Sequence, residues 1–244
     1  MLFPIGDDNT ERQLTPYVNY VLIAINIFVY LYQRGHPEFT SGYSVVPAEI
    51  TSGHDLVGTY RIGGARLDLA PGPTPIYLTL LSSMFMHGGF MHIAGNMLYL
   101  WIFGDNVEDR LGHVRYLIFY LLCGAFAACA QTYINGASLV PMIGASGAIS
   151  GVLGAYIVLF PHSRVLTIVP IVFFIQLLEV PAIVLLGLWF LMQLLSGVGT
   201  LGDRADVGGV AFWAHVAGFV AGLGFVYVFK QPERQKVEWW DGVR

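Results

Sequence analysis

Apolar runs of membrane-crossing length, separated by short polar stretches, leave this chain few ways to fold. Residues 76–103, 114–133 and 210–229 each offer the 20 or so mostly apolar residues that a transmembrane helix needs, and 17–32, 144–160 and 181–195 lie at the short end of that range. In lipid each backbone N–H and C=O must be satisfied within its own segment, so such runs fold as helices. The expectation is an all-α, polytopic membrane protein with six crossings. Charged residues make up 11% of the chain, against roughly 25% in an ordinary soluble domain, in keeping with that class. Residues 165–178 are also apolar, but Pro170 interrupts a stretch too short to cross, which reads as an interfacial or re-entrant part of a connection.

Six crossings put both ends of the chain on one side. With the termini cytoplasmic, the inner segments hold Arg12, Arg110, Arg115, Arg164 and the four basic residues of the tail, and the outer ones hold Arg34, Arg61, Arg66 and Arg204, a bias that favours this orientation. The organisation expected is a cytoplasmic segment over 1–16, a membrane domain over 17–230 and a cytoplasmic tail over 231–244. Asp7, Asp8 and Glu11 stand where a cleaved signal peptide would be basic, so the first segment is expected to stay on the mature protein. The 12 basic residues form no dense patch and the net charge is −4, which gives no basis for a nucleic-acid partner. Cys123 and Cys129 share one apolar run without metal-ligand spacing; neither a metal nor another cofactor is expected.

The chemistry lies in the polar residues inside the apolar runs. A histidine, asparagine or serine in hydrocarbon costs free energy and marks a bundle interior or a wet cavity. Gly144-Ala145-Ser146-Gly147 opens the fourth run, and Gly147, Gly151 and Gly154 leave one helix face bare. Taken alone, that spacing is read as helix packing. His215, Gly218 and Gly222 form a similar stripe on the sixth run, and two bare faces would let Ser146 and His215 approach within hydrogen-bond reach. At about 1.5 Å per residue, His87, His92, Asn96, Ser146 and His215 all fall in the outer halves of their spans. His92 and Asn96 are four apart and share a helix face.

A serine becomes a nucleophile when an adjacent base takes its proton, which suggests a Ser146–His215 dyad. His92, Asn96 and the Ser146 N–H would then donate to the oxyanion of a tetrahedral intermediate, helped by the unpaired N–H groups and dipole of a helix start. No Asp or Glu lies in the outer half of any span, and Asp203 and Asp206 of the last outer loop stay open as partners of His215. Taken one at a time these residues have plainer readings. Asn96 and His87 would be interhelical hydrogen-bonding groups, and His113, Glu108 and Arg110 would brace an inner helix end.

Three motifs, His87-x-x-x-x-His92-x-x-x-Asn96, Gly144-x-Ser146-Gly147 and Ala214-His215-x-x-Gly218-x-x-x-Gly222, occur in that order on the second, fourth and sixth runs. They resemble the motifs of the rhomboid family of intramembrane serine proteases, over about residues 17–229. The resemblance implies a six-transmembrane-helix rhomboid-like bundle, with Ser146 as nucleophile, His215 as general base, and His92, Asn96 and the Ser146 N–H as the oxyanion site. It further implies that His87 lines a wet cavity and that Gly147, Gly151, Gly218 and Gly222 pack helices. Implied partners are membrane lipid and single-pass transmembrane protein substrates, entering past the fifth span, in a bacterial cytoplasmic membrane with the site toward the outer side. The chain departs from the family pattern at Leu78-Thr79, where many members carry a tryptophan-arginine pair, and at Ser150, where an aromatic residue often packs on the histidine. Two other classes compete. One is a catalytically silent rhomboid-like protein that binds or chaperones membrane helices; the other is a haem or proton-path protein using His92 and His215, which leaves the Gly-x-Ser-Gly segment unexplained.

Overall fold

The computed structural model describes residues 2–62, 64–171, 174–200 and 209–232. Strand β1 (Phe3–Gly6) precedes helix α1 (Tyr17–Gln33), two short helices α2 (Pro37–Tyr43) and α3 (Pro47–Ser52), and a hairpin of β2 (Gly58–Ile62) and β3 (Ala65–Leu69). Helix α4 (Ile76–Phe85) leads to α5 (Phe90–Leu111), α6 (His113–Ile134) and α7 (Ser146–Leu159). A second hairpin, β4 (Arg164–Ile171) and β5 (Phe174–Pro181), precedes α8 (Ala182–Gly199) and α9 (Phe212–Phe229).

Among the described residues three helices, α6, α8 and α9, are long and apolar enough to cross a membrane. Helices α1, α4 and α7 are apolar but shorter, and α5 carries Asp105, Glu108, Asp109 and Arg110 in its last two turns. The all-α expectation is corrected by the strands, which lie in the connections. Residues 165–178, expected at an interface or re-entrant, form most of the β4–β5 hairpin, with β1 antiparallel on the free side of β4. The continuous second span expected over 76–103 is also corrected. It breaks between α4 and α5, where Gly88 and Gly89 interrupt the helix and His87 lies outside it.

Helix α7 is the centre of the bundle, buried from Gly147 to Tyr156 and packed most extensively against α9, with α6 and α5 on its other sides. Glycine makes this packing possible. A Cβ built on Gly218 would collide with the Gly147 carbonyl, one on Gly222 with the Gly151 carbonyl, and one on Gly154 with the Phe219 carbonyl. Two helix backbones therefore run in direct contact, as small residues allow in membrane bundles.

The end of the bundle nearest the N-terminus is tied by polar groups. The last turns of α5 are buried beneath residues 7–19 rather than left at a solvated helix exit. Glu108 accepts the backbone N–H groups of Val18 and Asn19 at 3.0 and 2.7 Å and also contacts His113, so it caps the start of α1 from another helix. Asp109 accepts from the Gln13 and Leu14 N–H groups, Arg12 pairs with Asp105, and Asp7 accepts from Asn106 Nδ2 and the Tyr156 hydroxyl. Arg110 lies over the Phe160 ring. At the opposite, distal end, residues 35–75 fold as α2, α3 and the β2–β3 hairpin, where Arg66 pairs with Asp68 at the surface.

Candidate active site

Helices α5, α7 and α9 all begin at the distal end, which brings His92, Ser146 and His215 to one level within about a turn of their helix starts. The segment before Ser146 is fixed by backbone pairing. Val45 and Met142 exchange N–H···O bonds of 3.1 and 2.7 Å, the Ala48 N–H reaches Ser138 O, and the Gly144 N–H reaches Ser83 O at 2.9 Å. Gly144 itself has φ +133°, a backbone conformation that side chains with a Cβ rarely adopt. A Cβ there would stand 2.9 Å from His92 Nε2 and 3.6 Å from Ser146 Oγ, so glycine keeps open a space that both side chains border.

Ser146, the first residue of α7, stands against His215, the fourth residue of α9, with Oγ 2.8 Å from His215 Nε2. The other ring nitrogen, Nδ1, is 2.8 Å from Gln193 Oε1 on α8. A neutral imidazole has one N–H, and the carbonyl acceptor on Nδ1 places it there; Nε2 is then the acceptor of the serine hydroxyl proton. The Gln131 carbonyl on α6 accepts the Ala214 N–H at 3.1 Å and so caps the first turn of α9, one residue before His215.

His92 is exposed, and its Nδ1 takes a long 3.4 Å contact from the Gly88 N–H, leaving Nε2 toward the space beside Gly144. Asn96 lies one turn further along α5; its Nδ2 is buried and has no hydrogen-bond partner among the described residues. His87 is buried with its backbone N–H on Gln33 Oε1 at 2.9 Å and its ring 5.1 Å from that of His92. It borders a cavity of ≈ 370 Å³ with Tyr30, Gln33 and Arg34. Gly147, Gly151, Gly218 and Gly222 sit at the α7–α9 contact and its α6 flank. Ser150, where the resemblance implies an aromatic residue, is buried and donates to the Ser146 carbonyl at 2.6 Å, while Trp189 of α8 supplies a ring 6.0 Å from that of His215. Asp203 and Asp206 lie outside the described residues.

Beside Ser146 is a small cavity of ≈ 50 Å³, bordered by Gly124, Ala127, Ala128, Gly144 and Ala214. Sequence reasoning passed over Gln193, Trp189 and Gln131. The signal was present for the two glutamines, since each is an uncharged polar residue in an apolar run, the same mark that singled out Asn96.

The chain matches the model of the Rhomboid domain over residues 76–232, more than half of its length. It is 29% identical to Rhomboid protein 1, mitochondrial, of Saccharomyces cerevisiae over 164 residues, 65% of this chain and 44% of that protein. It is 34% identical to Rhomboid protease GluP of Bacillus subtilis over 133 residues, 51% of this chain and 25% of that protein. With RHOMBOID-like protein 5 of Arabidopsis thaliana it shares 31% identity over 153 residues, 62% of this chain and 44% of the relative. The matched region thus spans less than half the length of each of these three relatives. Taken with the helical bundle and its membrane-length apolar helices, the match over α4 to α9 means that the chain belongs to the rhomboid family and is a polytopic integral membrane protein.

Proposed function

We propose that this chain is an intramembrane serine endopeptidase that cleaves peptide bonds in or near transmembrane segments of single-pass membrane proteins. The observation that carries this reading is the 2.8 Å contact between Ser146 Oγ and His215 Nε2. In the reaction His215 Nε2 takes the Ser146 proton as Oγ bonds to the carbonyl carbon of the scissile peptide. The carbonyl π pair moves onto oxygen. That oxyanion fits the space beside Gly144, where His92 Nε2, Asn96 Nδ2 and the Ser146 N–H would donate to it. Collapse of the intermediate breaks the C–N bond as His215 returns its proton to the leaving amine, and water activated by the same histidine then releases the acyl group. The small cavity bordered by Gly124, Ala127 and Ala128 suits a small substrate side chain next to the cut. His87 and its cavity would admit the water.

The rest of the reading follows the same resemblance. Six spans cross the membrane, with 17–230 as the protease domain, 1–16 and 231–244 as cytoplasmic ends, and the site toward the outer side of a bacterial cytoplasmic membrane. Cleavage of a tagged single-pass membrane reporter by purified protein tests the activity. Ser146→Ala and His215→Ala should each abolish it while the protein stays folded by circular dichroism. Undiminished cleavage by Ser146→Ala would overturn the proposal. A wild-type protein that binds the reporter but never cleaves it would leave helix binding without hydrolysis as the function.

A further inference from the structure

Helix α8 holds the His215 ring at two points. Gln193 Oε1 lies 2.8 Å from Nδ1, and the Trp189 ring lies 6.0 Å away at a 34° tilt. The two residues are four apart and so share one face of α8. Apart from Ser196 the rest of that helix has no polar side chain, and Ile183, Val184, Leu188, Leu191, Met192 and Leu195 are exposed to what surrounds the bundle. An amide placed in such a run costs free energy that its bond to the imidazole offsets. Around the ring, α6 contributes Gln131 at the backbone of Ala214, α7 contributes Ser146, and among the described residues His92 of α5 is a titratable neighbour. Among the described residues no carboxylate is hydrogen-bonded to His215.

We infer that Gln193 is a positioning residue that keeps His215 in its Nδ1–H tautomer with Nε2 turned to Ser146, an inference that rests on the proposed protease reading for its consequence in the reaction. Without an acceptor on Nδ1 the proton is free to move to Nε2, and the ring then presents a donor to the serine hydroxyl instead of a base. A glutamine carbonyl does the orienting work of the third residue in a serine triad without its charge. The acid limb of the pH–rate profile therefore belongs to an imidazole whose positive form has no hydrogen-bonded anionic partner among the described residues. Trp189 supplies an aromatic ring next to His215, where Ser150 offers none.

The test reads the tautomer directly. In protein labelled with 15N at its seven histidines, the His215 signal is identified by its loss in His215→Asn. Wild type should give the Nδ1–H form, and Gln193→Met, which keeps the chain length but removes the acceptor, should shift the ring toward Nε2–H. Gln193→Glu restores an acceptor and adds a negative charge, so it should return Nδ1–H and make the ring protonate at higher pH. In the cleavage assay Gln193→Met should lower kcat by roughly 10-fold or more with KM little changed. Gln193→Glu should recover activity above an acid limb displaced to higher pH. An unchanged tautomer in Gln193→Met would overturn the inference, as would equal losses in the Met and Glu variants with the pH profile unmoved. The tautomer is read without substrate. Loss of Nδ1–H in Gln193→Met, beside a wild type that cleaves no reporter, would support the positioning role and count against the protease reading alone.

Discussion

At Gly144 one methyl group decides whether His92 and Ser146 face a common space. The backbone there has a positive φ and a Cβ would stand within 2.9 Å of the imidazole. Gly144→Ala should therefore lower cleavage by about 10²-fold through loss of the oxyanion space, and lower stability by roughly 1–3 kcal/mol through backbone strain. Steady-state kinetics beside thermal unfolding separates the two effects; a full cleavage rate in a folded Gly144→Ala protein would remove the oxyanion role of this space. The residues that meet here stood out in the sequence because each is polar in an apolar run, and their shared level followed from counting residues along helices. Their partners did not follow. Which of several polar side chains on neighbouring helices reaches His215 Nδ1 depends on helix rotation, which one-dimensional spacing leaves free, and so Gln193 was passed over. The aromatic cover of the ring came from Trp189 on a different helix, where a search confined to the turn after Ser146 does not look.

The α7–α9 pair sets the site because backbone contact leaves little freedom in the distance between Ser146 and His215. A Cβ on Gly222 would meet the Gly151 carbonyl and Cα, both backbone atoms that cannot rotate away. Gly222→Ala should force the helices apart and lower stability by roughly 1–3 kcal/mol. It should also reduce cleavage although it lies two turns from the site. Gly224→Ala, where a Cβ meets nothing within 4 Å, is the matched control: it should leave cleavage unchanged and, if anything, raise stability through the better helix propensity of alanine. Equal behaviour of the two variants in thermal unfolding and cleavage would contradict a packing role for this face. Helices α6, α7, α8 and α9 were legible from run length and from small-residue spacing. The β4–β5 hairpin was not: β5 is exposed on both faces, so its sequence has no alternation of apolar and polar residues to mark a strand. The bracing expected of Glu108 at the α5 terminus has partners that spacing along α5 does not reveal: backbone N–H groups from residues 13–19 bond to Glu108 and Asp109, and Arg12 pairs with Asp105.

Across the whole molecule, chemistry and anchoring are separated. Ser146, His215, His92, Asn96 and Gln193, all uncharged or neutral polar side chains, gather toward the distal ends of the bundle helices, while Asp7, Asp105, Glu108 and Asp109 gather at the N-terminal end, where β1 and residues 7–19 close over α5 and α7. Burial pushes Asp7 above the ordinary aspartate value of 3.8, against hydrogen bonds from Tyr156 and Asn106 that pull it down. A carboxyl whose value is raised by folding binds its proton more tightly in the native state. Its contribution to stability is complete below 3.8 and is lost as pH rises through the raised value. Asp7→Asn keeps an acceptor for Tyr156 without the charge. It should unfold at a higher temperature than wild type at neutral pH, with the difference shrinking as pH falls toward 3.8; a lower unfolding temperature at every pH would mean that the charge itself holds this end together. The distal end carries the central claim, that Ser146 is made reactive by His215. Labelling with a fluorophosphonate tests it most directly, with intact mass and peptide mapping as the readout. The expected result is a single adduct on Ser146 that is lost in His215→Ala. An unlabelled wild type, or an adduct on Ser146 that forms equally fast without His215, would contradict it.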